Sequence, residues 1–382
     1  MHFLLHREKK GARSIPIIKN DYHKKMSEEN THAEISEEDP DELMSTDSEE
    51  EESEVEESSE EEESDDDYVG EPDTQIQSFH LRKKIGKGGF GVVWSATSAN
   101  ADNKDDIVAL KIGKKDETSM REIQALKELD GCSYIIKLLD TFIHTTRRKW
   151  DHRVLVLPFY NTDLTKFTRD CEGVTLTTGQ DIFRKILKGL DFMFKRGITH
   201  TDLKPSNVLL NITDDQTVSK LAIADFGCAS WDCNICKYGK THAYRSVNLV
   251  LNERASPEDD IWSTACILFE MFTNEYLFDP DPIETDDEDK MNHQHLILML
   301  ELLCPFPKKM ALKHRKHFNA KGSLMGNPKP PRLPLLDVIK EESSLEEKAA
   351  TQLTRLLYSM LRYTKRQRPL IAELLEDAFL SI

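Results

Sequence analysis

The sequence predicts an α+β protein in two lobes, a small strand-rich one over residues 79–160 and a larger helical one over 161–382, behind a tail, 1–78, with no fold of its own. Three observations carry this. Residues 27–73 hold 25 acidic side chains and no Lys or Arg, a composition that cannot bury enough apolar surface to offset the entropy of ordering. From Phe79 short apolar runs alternate with turn residues, the mark of strands. Beyond Asn161 the apolar residues recur at helical spacing.

The net charge of −18 therefore belongs to the tail. Residues 1–26 carry seven basic and two acidic side chains, a net of +5, and subtracting +5 and −25 leaves +2 for residues 74–382. The tail fits solvating filler, a competitor for basic substrates, or a phosphorylation target at Ser48, Ser53, Ser58 and Ser64, each followed by acidic residues. Apolar stretches such as Ile261–Phe272 and Leu296–Leu303 fall short of the roughly 20 residues that span a bilayer. The start, with three apolar residues before charge returns, does not read as a secretory signal. Seven cysteines in a long chain form no disulfide framework, so a reducing, intracellular setting is expected.

Taken in order, Leu81–Ile85, the glycines after it and Val92–Ala96 predict strand, turn, strand, and Ile107–Ile112 a further strand. Ile123, Leu126 and Leu129 share one face of a helix over 119–129. Arg153–Leu157 is a strand that Pro158 ends. Helices follow at 181–195, 259–273, 293–303 and 346–363.

The chemistry begins at Ile85-Gly86-Lys87-Gly88-Gly89-Phe90-Gly91-Val92-Val93. Glycines at 86, 88 and 91 let backbone N–H groups approach phosphate oxygens. An ordinary glycine-rich hairpin has the same pattern. A dinucleotide fingerprint needs a helix after the third glycine, whereas Val92-Val93-Trp94 continues as a strand, which points to a mononucleotide beneath a hairpin. Lys111 ends the apolar run Val108-Ala109-Leu110 and could hold phosphates; Glu122, on the predicted helix, is the anion expected to position it, ahead of Glu117 and Glu128.

His200-Thr201-Asp202-Leu203-Lys204-Pro205-Ser206-Asn207, followed by Asp225-Phe226-Gly227, resembles the catalytic loop and metal-binding motif of eukaryotic protein kinases, and the resemblance covers roughly 79–382. It implies the bilobal protein-kinase fold, with ATP and Mg²⁺. Asp202 would orient or accept the proton of the attacking hydroxyl, Lys204 would neutralise charge on the transferred phosphoryl group, and Asn207 and Asp225 would supply oxygen to Mg²⁺. The lysine two residues after the catalytic Asp is the serine/threonine type. By its spacing Thr241 resembles the threonine that bonds the catalytic Asp and Lys. Asp260 resembles the acid that anchors the catalytic-loop backbone, and Leu157 the gatekeeper behind adenine. The Tyr160 N–H and the Pro158 carbonyl would then face the base.

Thr201 stands where most kinases have Arg. The H-T-D string is a feature of the SR protein kinases of the CMGC group, which act without activation-loop phosphorylation. Tyr244-Arg245-Ser246, Asp260-Ile261-Trp262-Ser263-Thr264-Ala265-Cys266 and Tyr276-Leu277-Phe278-Asp279-Pro280 are similar to that family too. The chain departs from it at Val247-Asn248, which leaves Arg368 without its expected acid, at Gln294, and in the short segment 211–220. The resemblance implies Arg/Ser-rich splicing factors as substrates, a role in mRNA splicing, a monomer in cytoplasm and nucleus, and no direct contact with nucleic acid or membrane. Asp279, Asp286, Asp287, Asp289 and Glu301 are the acidic residues expected to dock such a basic substrate, although a solvated loop has the same composition. A scaffold without chemistry, or a kinase of another CMGC branch, is the alternative. Cys233-x-x-Cys236 reads as loop cysteines rather than a metal site.

Overall fold

The computed structural model describes residues 72–88, 91–99, 107–114, 116–146, 149–171, 173–214, 216–231, 241–280, 287–326 and 334–381. The acidic segment up to residue 71 and the Cys233–Cys236 pair lie outside them.

The first lobe is a six-stranded antiparallel sheet. β1 (Gln75–Ile76), β2 (Phe79–Gly88), β3 (Gly91–Ser98), β4 (Ile107–Lys114), β5 (Asp140–Thr145) and β6 (Asp151–Pro158) are arranged in the order β1-β2-β3-β4-β6-β5. Period-two alternation sends Val92, Trp94 and Ala96 to the same face as Leu110, Ile112, Val154 and Val156, and these form a buried cluster with Ile76 and Leu81. Ile76 has no exposed surface. The boundary expected at 78 thus falls inside the fold, because a two-residue strand is too short to show a period. Gly91 has φ +127°, and a Cβ there would come within 2.2 Å of the Ile112 carbonyl, so the turn into β3 requires glycine.

Helix α1 (Glu117–Glu128) crosses between β4 and β5. Asp116 caps it by accepting from the Ser119 N–H, and Glu122, Ile123 and Leu126 form its buried face.

Beyond β6 the chain enters β7 (Thr162–Asp163), α2 (Leu164–Asp170) and α3 (Leu176–Phe194). α3 starts five residues before its apolar period suggests, because Thr175 caps it. Next come β8 (Ile198–Thr199), β9 (Val208–Ile212), β10 (Val218–Ile223) and β11 (Ser230–Trp231). They form the sheets β10-β9-β7 and β11-β8. Then follow α4 (Val247–Val250), α5 (Pro257–Thr273), α6 (Glu288–Leu302), α7 (Lys308–Ala311), α8 (Leu335–Glu342), α9 (Glu347–Met360) and α10 (Ile371–Leu375). α5 is buried along almost its whole length and is the axis of the lobe. Gly179 of α3 lies against the Phe272 ring of α5, where a Cβ would approach to 2.3 Å. Tyr134–Ile136 bonds the backbone of Ile223, which ties the segment after α1 to β10. No helix among the described residues is long and apolar enough to cross a membrane.

Candidate active site

Lys111 sits between Val93 of β3 and Leu155 of β6, on the face of β4 opposite the core. Its Nζ donates to both Glu122 carboxylate oxygens, at 2.7 and 2.9 Å, and to Asp225 Oδ1 at 2.8 Å. Burial works against its charge, but the two carboxylates outweigh burial and hold the lysine pKa above the ordinary value. Burial likewise opposes ionisation of Asp225, and Lys111 more than compensates, keeping that carboxyl below the usual range. Of the three glutamates near α1, Glu122 is the one the helix turns inward.

The catalytic loop hangs from α5. In the first turn of that helix, fully buried Asp260 accepts the His200 N–H at 2.6 Å and the Thr201 N–H at 2.9 Å. Burial pushes this carboxyl up to about 7, with the two N–H groups opposing the shift. Thr201 has φ +68°, a strained conformation for a β-branched residue. Two anchors hold it: its N–H on Asp260, and its hydroxyl, which donates to the Cys228 carbonyl at 2.7 Å. His200 Nε2 lies 2.9 Å from the Ala224 carbonyl, Nδ1 accepts the Asp202 N–H at 3.3 Å, and burial keeps the ring neutral. Asp225 also has a left-handed backbone, φ +67°.

On this loop Asp202, Lys204, Thr241 and Asn207 converge. Lys204 Nζ donates to Asp202 Oδ2 at 2.9 Å and to Thr241 Oγ1 at 2.8 Å. The structure places Thr241 on Lys204, one of its two expected partners; Asp202, the other, it meets only through the lysine, which stands between them. Asn207 Nδ2 donates to the Asp202 carbonyl at 2.8 Å, which leaves its side-chain oxygen as the remaining acceptor. That oxygen and the Asp225 carboxylate are hard donors of the kind Mg²⁺ prefers.

Ile85, Gly86, Lys87 and Gly88 end β2 opposite Gly91, Val92 and Val93; Gly89 and Phe90 lie outside the described residues. A Cβ at Gly88 would meet nothing within 4 Å, and one at Gly86 only ordinary contact with Val93. The protein's own packing does not demand glycine at either place, so the open space suits phosphates. At the far end of β6, buried Leu157 pairs with Ala109 and Pro158 with Val108; half-buried Tyr160 follows.

The acidic docking set is less uniform than its composition suggests. Asp286 is outside the described residues. Asp287 caps α6, accepting from the Asp289 and Lys290 N–H groups, and Asp289 pairs with Lys316. Both have internal partners, for which a substrate arginine would have to compete. Asp279 is half-buried. Glu301, also half-buried, makes no hydrogen bond or ion pair among the described residues, and burial pushes its carboxyl up to about 7.

Sequence reasoning missed three contacts. Asp259 takes the place of the acid that Arg368 lost, and the only signal was the Ser256-Pro-Glu-Asp capping box. Trp231 donates to Glu128 Oε2 at 2.7 Å, fastening β11 to the end of α1, and the Tyr244 hydroxyl donates to Glu270 at 2.6 Å; no local signal marks these partners.

Residues 79–380 match the protein kinase domain family. The chain is similar to a serine/threonine-protein kinase SRPK of Physarum polycephalum, 28% identical over 372 residues, covering 80% of this chain and 86% of that protein. It is also similar to the mitogen-activated protein kinase homolog NTF6 of Nicotiana tabacum, 33% identical over 204 residues, and to mitogen-activated protein kinase 6 of Oryza sativa subsp. japonica, 31% over 206. Each of these two alignments covers 51% of this chain and 53% of the relative.

Proposed function

The chain belongs to the protein kinase family, and from that premise we propose that it transfers the γ-phosphoryl group of ATP to serines in Arg/Ser-rich segments of splicing factors. It is a serine/threonine protein kinase of the CMGC type. The observation that carries the reaction is the joined set Lys111–Glu122–Asp225, beside Asp202–Lys204–Thr241.

In this reading Lys111, steadied by Glu122, holds phosphate oxygens beneath the β2–β3 hairpin. Asn207 and Asp225 hold Mg²⁺, which when bound neutralises phosphate charge. Asp202 accepts the proton of the substrate hydroxyl, and Lys204, fixed by Thr241, meets the charge that develops on the transferred group. The Thr201 hydroxyl ties the catalytic loop to the backbone just after Asp225-Phe226-Gly227 without an added phosphate. Glu301, whose carboxyl has no hydrogen bond or ion pair among the described residues, is the strongest candidate to meet an arginine of the substrate.

Support for the substrate class is the extent of similarity: the SRPK relative aligns with four-fifths of the chain, the mitogen-activated relatives with half. The higher identity of the latter favours a second reading, a kinase of another CMGC branch. A peptide array holding Arg–Ser repeats and Ser-Pro sequences separates the two, with the D202N variant as control for contaminating activity. Transfer to Arg–Ser peptides that vanishes in the variant supports the proposal, and transfer confined to Ser-Pro peptides defeats it. We place the enzyme in cytoplasm and nucleus as a monomer, to be checked by imaging a fluorescent fusion and by light scattering.

A further inference from the structure

Helix α1 carries two carboxylates in its second half, and they do different work. Glu122 faces inward, holds Lys111 and also accepts from the Phe226 N–H. Glu128, in the last turn, is exposed, and both its oxygens have donors: Gln124 Nε2, one turn earlier, at 2.9 Å and the Trp231 indole N–H at 2.7 Å. The Gln124 bond fixes the carboxylate in the orientation that Trp231 meets. Trp231 is held from the other side by its backbone. It pairs with Ile198, and Ser230 with Thr199, the two residues that lead into His200-Thr201-Asp202. Ile198 has no exposed surface. One half-buried side chain thus spans from the strand before the catalytic loop to the helix that carries Glu122. Between these holds, Arg121 Nη1 lies 3.5 Å from the Gly227 carbonyl.

Spacing gives the outermost hold its leverage. Glu122 and Glu128 are six residues apart, about 9 Å along the helix axis and about 120° apart around it. A helix fastened at one point can tilt and roll about that point. A second fastening at this distance, on another face, stops both motions. The bonds from Lys111 to Glu122, at 2.7 and 2.9 Å, tolerate little of either, because such bonds weaken beyond about 3.2 Å. We propose that Trp231 is a positioning residue for the phosphate-holding lysine: its indole, bonded to Glu128, fixes α1 so that Glu122 stays on Lys111. This role rests on the reading of Lys111 as the group that holds ATP phosphates, and it makes the segment after Asp225-Phe226-Gly227 a determinant of nucleotide affinity.

The test uses the full chain and Mg·ATP as the probe, with affinity measured by titration calorimetry and α1 followed by amide hydrogen exchange. W231F keeps an aromatic ring but loses the donor, and E128M loses the acceptor. Each should weaken Mg·ATP binding about fivefold, the weight of one partly exposed hydrogen bond to a carboxylate. Exchange over 118–128 should quicken by a similar factor while that of α9 is unchanged. E128Q retains an acceptor oxygen and should stay close to wild type. The W231F/E128M double variant should be no worse than either single one, since both remove the same bond. In an E122Q background W231F should have no further effect on affinity, which a merely structural role would not predict. The proposal is overturned by a W231F protein that binds Mg·ATP as tightly as wild type, by losses that add in the double variant, by an E128Q protein as weak as E128M, or by a W231F effect undiminished in E122Q. Failure of the functional reading shows differently: the wild-type chain would then bind no Mg·ATP at all, whereas failure of the Trp231 role leaves wild-type binding intact.

Discussion

Arg368 donates from Nη2 to the side-chain oxygen of Asn248 at 2.8 Å and from Nη1 to Asp259 Oδ1 at 3.1 Å. The neutral amide stands where the SR protein kinases place an acid, and it passes the interaction outward: Asn248 Nδ2 donates to Glu253 at 2.7 Å. Asp259, which also receives Ser246 and Lys365, supplies the charge that this buried guanidinium needs.

Removing that charge leaves Arg368 buried and unpaired. D259N should therefore destabilise the protein by about 3–5 kcal/mol. Restoring the family's acid should not help. In N248E the donor to Glu253 is lost and two carboxylates adjoin, at a cost of about 1–2 kcal/mol. Denaturant unfolding measures both, and a stabilised N248E would contradict the transfer of the acidic role to Asp259.

Thr201 keeps a strained backbone because its two hydrogen bonds outweigh the strain. T201V removes the bond to Cys228 and should cost about 1–2 kcal/mol of stability. The loosened loop should turn over about tenfold more slowly, the rate equivalent of about 1.4 kcal/mol. T201S retains the hydroxyl and should behave close to wild type. Equal behaviour of the two variants in melting and in kcat would remove the role assigned to this bond.

Asp202 and Thr241 act on the same lysine from two sides. D202N should lower kcat by about 10²–10⁴-fold, the usual weight of general acid–base help, with little change in KM for ATP. T241V leaves Lys204 held on one side only, and a loss of about tenfold in kcat is expected. Steady-state kinetics with a fixed peptide decides this, and a T241V enzyme with full kcat would show that Asp202 suffices to place Lys204.

Glu301 carries a carboxyl pushed up to about 7 by burial, so it is neutral below that pH and charged above it. If it holds a substrate arginine, KM for an Arg–Ser peptide should fall as pH rises from about 6 to about 8, by roughly tenfold for one charged hydrogen bond. E301Q should flatten that dependence. Stability moves in the opposite direction: the folded state binds this proton more tightly than the unfolded chain, so the contribution of Glu301 is lost as pH rises through about 7. A KM profile identical in wild type and E301Q would exclude Glu301 from docking.

The two-lobed order, the strands over 81–85, 92–96, 107–112 and 153–157 and the pairing of Lys111 with Glu122 were all legible, since each rests on local period or on a motif of a few residues. β1 was not, because two residues show no alternation, and Ile76 is buried only through its place against β2. The start of α6 at Glu288, five residues before the expected 293, was hidden by a polar first turn that Asp287 caps. That same cap gives Asp287 a structural partner that its acidic neighbourhood did not announce.

The sequence alone picked out the groups proposed for the chemistry: the glycine hairpin, Lys111, Asp202, Lys204, Asn207 and Asp225 are set by residue type and short spacing, which backbone geometry translates directly into position. Only the tertiary structure decided what supports them. Asp259 meets Arg368 across 109 residues, Asp260 holds His200 across 60, and Thr201 reaches Cys228 across 27. Such partners are chosen by how α5 and the turns around it pack, and hydrogen bonds between buried groups form with whichever neighbour that packing supplies.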